Sequence, residues 1–260
     1  MIDVPPDLAQ AAAPPLVHDA ATTGLCALLV VSLLYALWDW RKSGAPIVLC
    51  CVLGGVACIS IEPWVDVLGG CWHWERGQIE VFETFDRAMP LWLVFAYGLF
   101  FGIQPALMQK WFARGVASRQ ILTFWASAFV VNLTLELPLL YGGLYVYYGA
   151  QPLEVFGFPL WWMGVNGFGV VLIAVVVDVL APWIKRAPWR AILLIPLAPA
   201  ADGAANAASG PLVWTVIHTP TPAYLVHAAG IASIIVSGVL VFLVSKLVAQ
   251  DSAHRLAARA

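Results

Sequence analysis

Apolar residues run along the chain in long blocks, and polar residues gather between the blocks instead of alternating within them. A helix needs roughly 20 residues to cross about 30 Å of hydrocarbon. Blocks of that length lie near 22–40, 45–66, 89–109, 120–140, 158–181, 189–209 and 223–247. The pattern predicts an all-α polytopic membrane protein with seven transmembrane helices. On this reading residues 1–21 are an extracytoplasmic N-terminal segment, 22–247 the membrane domain and 248–260 a cytoplasmic tail.

Composition strengthens the class and charge orients it. Hydrophobic residues make up 62% and charged residues 11%, against about a quarter charged in soluble domains. The net charge of −2 offers no basic patch for nucleic acid. Basic residues favour the cytoplasmic side, and eleven of the thirteen occupy alternate connections: Arg41 and Lys42; Lys110, Arg114 and Arg119; Lys185, Arg186 and Arg190; Lys246, Arg255 and Arg259. This predicts the N-terminus outside and the C-terminus inside. The first 21 residues carry Asp3, Asp7 and Asp19 but no Lys or Arg, so the basic start of a cleaved signal peptide is missing and the first span reads as an uncleaved anchor. The expected location is the bacterial inner membrane, among membrane lipids. Cys26, Cys50, Cys51, Cys58 and Cys71 have no CxxC spacing, which argues against a disulfide framework or a zinc cluster. They read as packing residues, and no metal or other cofactor is expected.

A repeat organises the polar positions. The second and third spans contain Glu62, then Gly69-Gly70-Cys71-Trp72-His73-Trp74, then Pro90-Leu91-Trp92 and Tyr97-Gly98. The fourth and fifth contain Glu136, then Gly142-Gly143-Leu144-Tyr145-Val146-Tyr147, then Pro159-Leu160-Trp161 and Asn166-Gly167. Asp202, Gly210, Trp214, Pro222 and Gly230 give a fainter third copy. The chain therefore reads as one helix plus three helical hairpins. Each acid falls in the outer half of its span and has a polar neighbour one turn away, on the same helix face: Glu62 with Asp66, Asn132 with Glu136, and Asp202 with Asn206. Tyr97, Asn166 and His227 descend from the same side, so the pattern predicts one polar cavity in the outer half of the bilayer.

Each candidate has an ordinary explanation beside the functional one. An ionisable group inside a membrane is expensive, about 2.5–3.5 kcal/mol on insertion scales, and usually faces the bundle interior or water. Glu62 and Asp66 could sit at a wet helix end, and Asn132 with Glu136 could be an interhelical link. Asp202, in a small-residue span broken by Pro196 and Pro199, is hardest to explain by packing. Asp39 and Asp178 read as cytoplasmic interface residues, and His73 and His218 as surface residues of outer loops. Trp38, Trp40, Trp111, Trp183 and Trp189 fit an interfacial aromatic belt. Trp72, Trp74, Tyr145 and Tyr147, with their every-other-residue spacing, are candidates for an aromatic wall of the cavity, together with Trp161.

Several chemistries are missing from the sequence. There is no histidine-rich di-iron motif, GxGxxG, phosphate-binding loop, Gly-x-Ser-x-Gly elbow or Asp-rich magnesium motif, and no lysine in the middle of the seventh span for a retinal Schiff base. Carboxylic acids, amides and aromatic faces remain. Burial keeps a carboxyl protonated and available as a general acid, and aromatic faces stabilise a developing cation by roughly 0.5–2 kcal/mol each. The same burial weakens the acid, which favours oxygenated or highly conjugated substrates.

The run Glu136, Gly143, Tyr145, Tyr147 and "GFPLWW" resembles the acid–Gly–Tyr-x-Tyr–Phe-Pro-Leu run of AveC-type spirocyclases and carotenoid hydratases, and "EPWVDVLGGCWHW" is similar to the acidic-Pro segment of the AveC-type proteins. The placement of Glu62 and Asp202 is similar to the early-helix and late-helix acids of seven-helix fungal meroterpenoid cyclases. The resemblance implies cyclase or hydratase chemistry with Glu62 or Asp202 as proton donor; Glu136 and Asp66 depart from that pattern. The expected function is acid–base cyclisation, hydration or isomerisation of a lipophilic terpenoid, carotenoid or polyketide, with Glu62, Asp202 and Glu136 as catalytic acids and bases. Substrate contacts are expected from Asp66, Trp72, Trp74, Tyr97, Asn132, Tyr145, Tyr147, Trp161, Asn166, Asn206 and His227. A proton-coupled carrier and a non-catalytic lipid-binding subunit are the alternatives.

Overall fold

The computed structural model describes residues 4–257. Asp3, Arg259 and the last three residues of the expected tail lie outside the described residues. A short helix, α1 (Pro6–Gln10), leads into α2 (Pro15–Ser43), so much of the expected N-terminal segment is helical. It also docks: the Ala13 N–H bonds the Arg76 carbonyl at 2.9 Å. α2 stops at Gly44, which takes φ 75° and bonds the Trp40 carbonyl, a left-handed cap that a residue without Cβ adopts without strain.

The second apolar block is bent. α3 (Ile47–Ala57), a tight turn Cys58–Ser60 and α4 (Glu62–Gly69) meet at 49°. Pro63 in the first turn of α4 has no N–H to continue the ladder from α3, which is the usual cause of such a break. The third block is continuous but widened: α5 (Leu91–Tyr97) passes through a π-helical turn, Gly98–Ile103, into α6 (Gln104–Phe112), with Pro105 unable to bond one turn back. Then come α7 (Ser118–Tyr141), α8 (Trp161–Arg186), α9 (Leu194–Ser209), α10 (Pro211–Ile217) and α11 (Ala223–Ala257). Among the described residues, six helices are long and apolar enough to cross a membrane, and there are seven spans if the bent pair α3–α4 counts as one.

α8 is the centre of the bundle, packed by α6, α7, α9 and α11, with Val165, Val170, Ala174 and Val177 fully buried. Lipid tails provide no hydrophobic drive between helices, so close backbone approach has to hold them together. Gly55 of α3 lies against the backbone of Gly102 with no room for a Cβ. A Cβ on Gly54 would meet the Leu194 carbonyl of the α9 span at 2.7 Å. Outside, α2 and α11 expose Leu28, Val31, Leu34, Ile235 and Leu243, a surface suited to hydrocarbon and not to water.

Two polar links, one buried and one half-buried, tie the helices at the end opposite Glu62. Gln109 Nε2 donates to Asp178 Oδ1 at 3.1 Å. Asp178 is 2% exposed, so it is a buried interhelical residue where the sequence predicted an interface; its partner comes from α6, beyond the reach of local spacing. Asp39 pairs with Lys110, which also donates to the Tyr35 hydroxyl at 3.0 Å.

The fold is all-α, as the sequence predicts, with short extended segments in the connections. Among the described residues, three two-stranded ribbons occur in the connections: β1 (Cys71–His73) with β4 (Tyr145–Tyr147), β2 (Glu80–Thr84) with β3 (Arg87–Pro90), and β5 (Glu154–Val155) with β6 (Phe158–Pro159). The first joins the two Gly-Gly segments of the repeat to each other. Gly70 and Gly143 turn the chain out of α4 and α7 with φ 69° and 72°, so both segments leave their helices through the same left-handed exit. The third segment differs, since Gly210 is right-handed at φ −69° and the chain runs on into α10.

Candidate functional site

Carboxyl groups from three different helices meet in one cavity of about 570 Å³, a typical size for a small-molecule site. Glu62 comes from α4, Glu136 from α7 and Asp202 from α9. Each is held by a neutral donor. The Tyr97 hydroxyl donates to Glu62 Oε2, and the Tyr145 hydroxyl to Glu136 Oε2. Asn206 Nδ2 donates to Asp202 Oδ1 at 3.2 Å, as the one-turn spacing predicts. Gly169 makes room for this acid, because a Cβ there would lie 2.9 Å from Asp202 Oδ1. Glu62 stands in the field of Asp66, Asp202 and Glu136.

Asp66 follows Glu62 by one turn but has its own partner. Its Oδ2 lies 3.1 Å from His73 Nδ1, and the two residues are 1% and 3% exposed. The sequence reading of His73 as a surface residue is therefore corrected. The cause is the β1–β4 register, which sets Cys71 opposite Tyr147 and His73 opposite Tyr145. Directly opposed residues share a face and neighbours alternate, so Cys71, His73, Tyr145 and Tyr147 all face the cavity. His73 stacks on Tyr145 with ring centroids 5.5 Å apart. Burial, then the charge of Glu136, holds both tyrosine phenols well above their ordinary value. Burial, then the nearby Asp66 carboxylate, does the same for the Cys71 thiol.

The same alternation turns Trp72 and Trp74 away. Trp72 lies beneath the Arg87 guanidinium at 4.8 Å, and the Trp74 indole donates to the Gly143 carbonyl. Trp161 is buried and stacks on Trp162 at 4.0 Å, and it is Trp162 that reaches the cavity. His227 is exposed, its Nδ1 accepting the Leu153 N–H at 3.1 Å. These four expected contacts thus lie outside the lining. Asp66, Tyr97, Asn132, Tyr145, Tyr147, Asn166 and Asn206 lie within it. The expected pairing of Asn132 with Glu136 is replaced by the Tyr145 bond, and among the described residues Asn132 Nδ2, Asn206 Oδ1 and Trp162 Nε1 are buried without a partner. They are polar groups a ligand could satisfy.

His73, Cys71, Trp92 and Trp162 also line the cavity and were missed. The signal that could have found two of them is the alternation Cys71-x-His73, read as a strand beside Tyr145-x-Tyr147. The opposite wall is mostly apolar and reaches the outer surface: Leu28 and Val31 of α2, with Thr134 and Leu135 of α7, are exposed and also line the cavity, beside the half-buried Ser32. A mouth between α2 and α7 thus opens sideways, where hydrocarbon would be. No family model, curated protein or solved structure matches the chain.

Proposed function

We propose that the protein is a membrane-embedded enzyme performing acid–base cyclisation, hydration or isomerisation of a lipophilic terpenoid, carotenoid or polyketide. The observation that carries this reading is the convergence of Glu62, Glu136 and Asp202 in an apolar cavity with a lateral mouth. One carboxylic acid protonates an oxygen or conjugated carbon of the substrate, Trp92, Trp162, Phe100 and Tyr147 face the resulting cation, and a second carboxylate removes a proton. Glu62 and Asp202 take these two roles, with Glu136 as a third participant. The resemblance to AveC-type spirocyclases, carotenoid hydratases and meroterpenoid cyclases points the same way. The alternating basic connections support an N-terminus outside and a C-terminus inside, and the sequence repeat supports one helix followed by three hairpins.

Glu62→Gln and Asp202→Asn variants in the native host are expected to reduce the product roughly 100-fold or more, the ordinary contribution of a general acid or base, when lipid extracts are profiled by mass spectrometry. Unchanged product in both variants would sink the assignment. The carrier reading draws on the buried Gln109–Asp178 pair near the far end of the bundle, which would extend a polar path. Proton-linked uptake into liposomes without chemical conversion would favour it.

A further inference from the structure

Asp66, Cys71 and His73 form a mixed-donor cluster outside the three acids to which catalysis is assigned. A carboxylate oxygen, the thiol sulfur and an imidazole nitrogen lie within 4.8 Å of one another, and all three residues are buried. The Asp66 Oδ2 to His73 Nδ1 separation is 3.1 Å. Metal–N and metal–O lengths of about 2.0–2.1 Å at a tetrahedral angle place two ligand atoms about 3.3 Å apart, so this pair already has the spacing of one coordination edge. The Cys71 sulfur lies within 4.8 Å of both, and an inward shift of that sulfur closes the triangle.

We propose that Asp66, Cys71 and His73 bind one divalent transition-metal ion, zinc by donor type, with the fourth position open to the cavity. Nitrogen and sulfur donors with one carboxylate suit Zn²⁺ and exclude Mg²⁺ and Ca²⁺, which take oxygen. Three protein ligands with one open position distinguish reactive zinc sites from closed structural ones. The charges close as well: a carboxylate, a thiolate and a neutral imidazole around a dication sum to zero, which suits a dry interior better than a buried carboxylate beside a thiol. The ligands come from rigid places, Asp66 from the last turns of α4 and Cys71 and His73 from one face of β1, whose exit Gly70 fixes. His73 is further clamped by its stack on Tyr145.

An ion here would bind and polarise an oxygen on the substrate, beside Glu62 one turn below. The inference rests on the cavity described above but not on its reaction class: it names an oxygen-bearing ligand, alcohol, ketone or epoxide, for the same space.

The test reads metal, not turnover. Full-length protein carrying a tag without histidines is purified in mild detergent, loaded with Zn²⁺ or Co²⁺, dialysed, and assayed by elemental analysis and X-ray absorption. The expected result is about one ion per chain with one sulfur at about 2.3 Å and nitrogen or oxygen at about 2.0–2.1 Å. The cobalt form should show a thiolate-to-metal charge-transfer band that Cys71→Ser abolishes and Asp66→Asn weakens. Folded wild-type protein that retains no ion, or one bound without sulfur, an adventitious ion only, overturns the proposal. So does a charge-transfer band that persists in Cys71→Ser. Glu62→Gln should keep the ion whatever it does to product, so loss of the acid–base reading and loss of the metal site are separate outcomes.

Discussion

Tyr97 and Tyr145 each spend their hydroxyl on one acid, Glu62 and Glu136 respectively. A hydrogen bond to a charged group contributes about 1.5–3 kcal/mol. Tyr97→Phe and Tyr145→Phe are therefore expected to lower product formation roughly 10- to 100-fold while leaving the protein folded, checked by lipid profiling beside a thermal melt. The Tyr145 phenol, raised by burial and the nearby acids, should stay protonated well above its ordinary value, so spectrophotometric titration of wild type minus Tyr145→Phe should show no phenolate step at pH 10. At Gly169 the prediction is steric. A methyl 2.9 Å from Asp202 Oδ1 forces that acid aside, and Gly169→Ala should match Asp202→Asn in product loss. The acids were legible in the sequence because an ionisable group stands out in an apolar block, and Asn206 followed from helical spacing. His73 was not, because its burial depends on a partner strand far away in the chain. Trp72 and Trp74 were misplaced for the same reason: their regular spacing was visible, but the face of the ribbon was not.

The elements show where helical reasoning stops. Apolar blocks located the long helices to within a few residues at most ends, because hydrocarbon length sets a minimum that composition reports directly. The bend before α4 and the π-helical turn between α5 and α6 could be suspected from Pro63 and Pro105, but their geometry is set by packing. The β1–β4 ribbon also shows that sequence equivalence is not spatial equivalence. Trp72 and Tyr145 occupy matching positions after their Gly pairs, yet the register opposes Tyr145 to His73, leaving the two aromatics on opposite faces. Two variants separate these roles. Trp72→Ala should lower the melting temperature, because a stacked guanidinium and a buried ring lose their contact, while product per folded molecule is retained. Gly70→Ala places a Cβ on a residue at φ 69° and is expected to cost about 1–2 kcal/mol, read as a lower midpoint in thermal unfolding.

On the scale of the whole molecule, the exposed apolar faces of α2 and α11 and the close glycine packing around α3 describe a bundle held together by shape in a lipid solvent. The mouth between α2 and α7 is the feature with the widest consequence. A ligand that enters sideways has already dissolved in the bilayer, so the concentration that governs occupancy is two-dimensional: molecules of substrate per molecule of lipid, not per litre. Diluting the membrane with inert phospholipid at constant total substrate should therefore slow the reaction in proportion, whereas diluting the whole vesicle suspension with buffer should leave the rate per enzyme unchanged. Reconstituted protein assayed along both axes would show this directly. A rate that follows bulk concentration would mean that the ligand arrives from water.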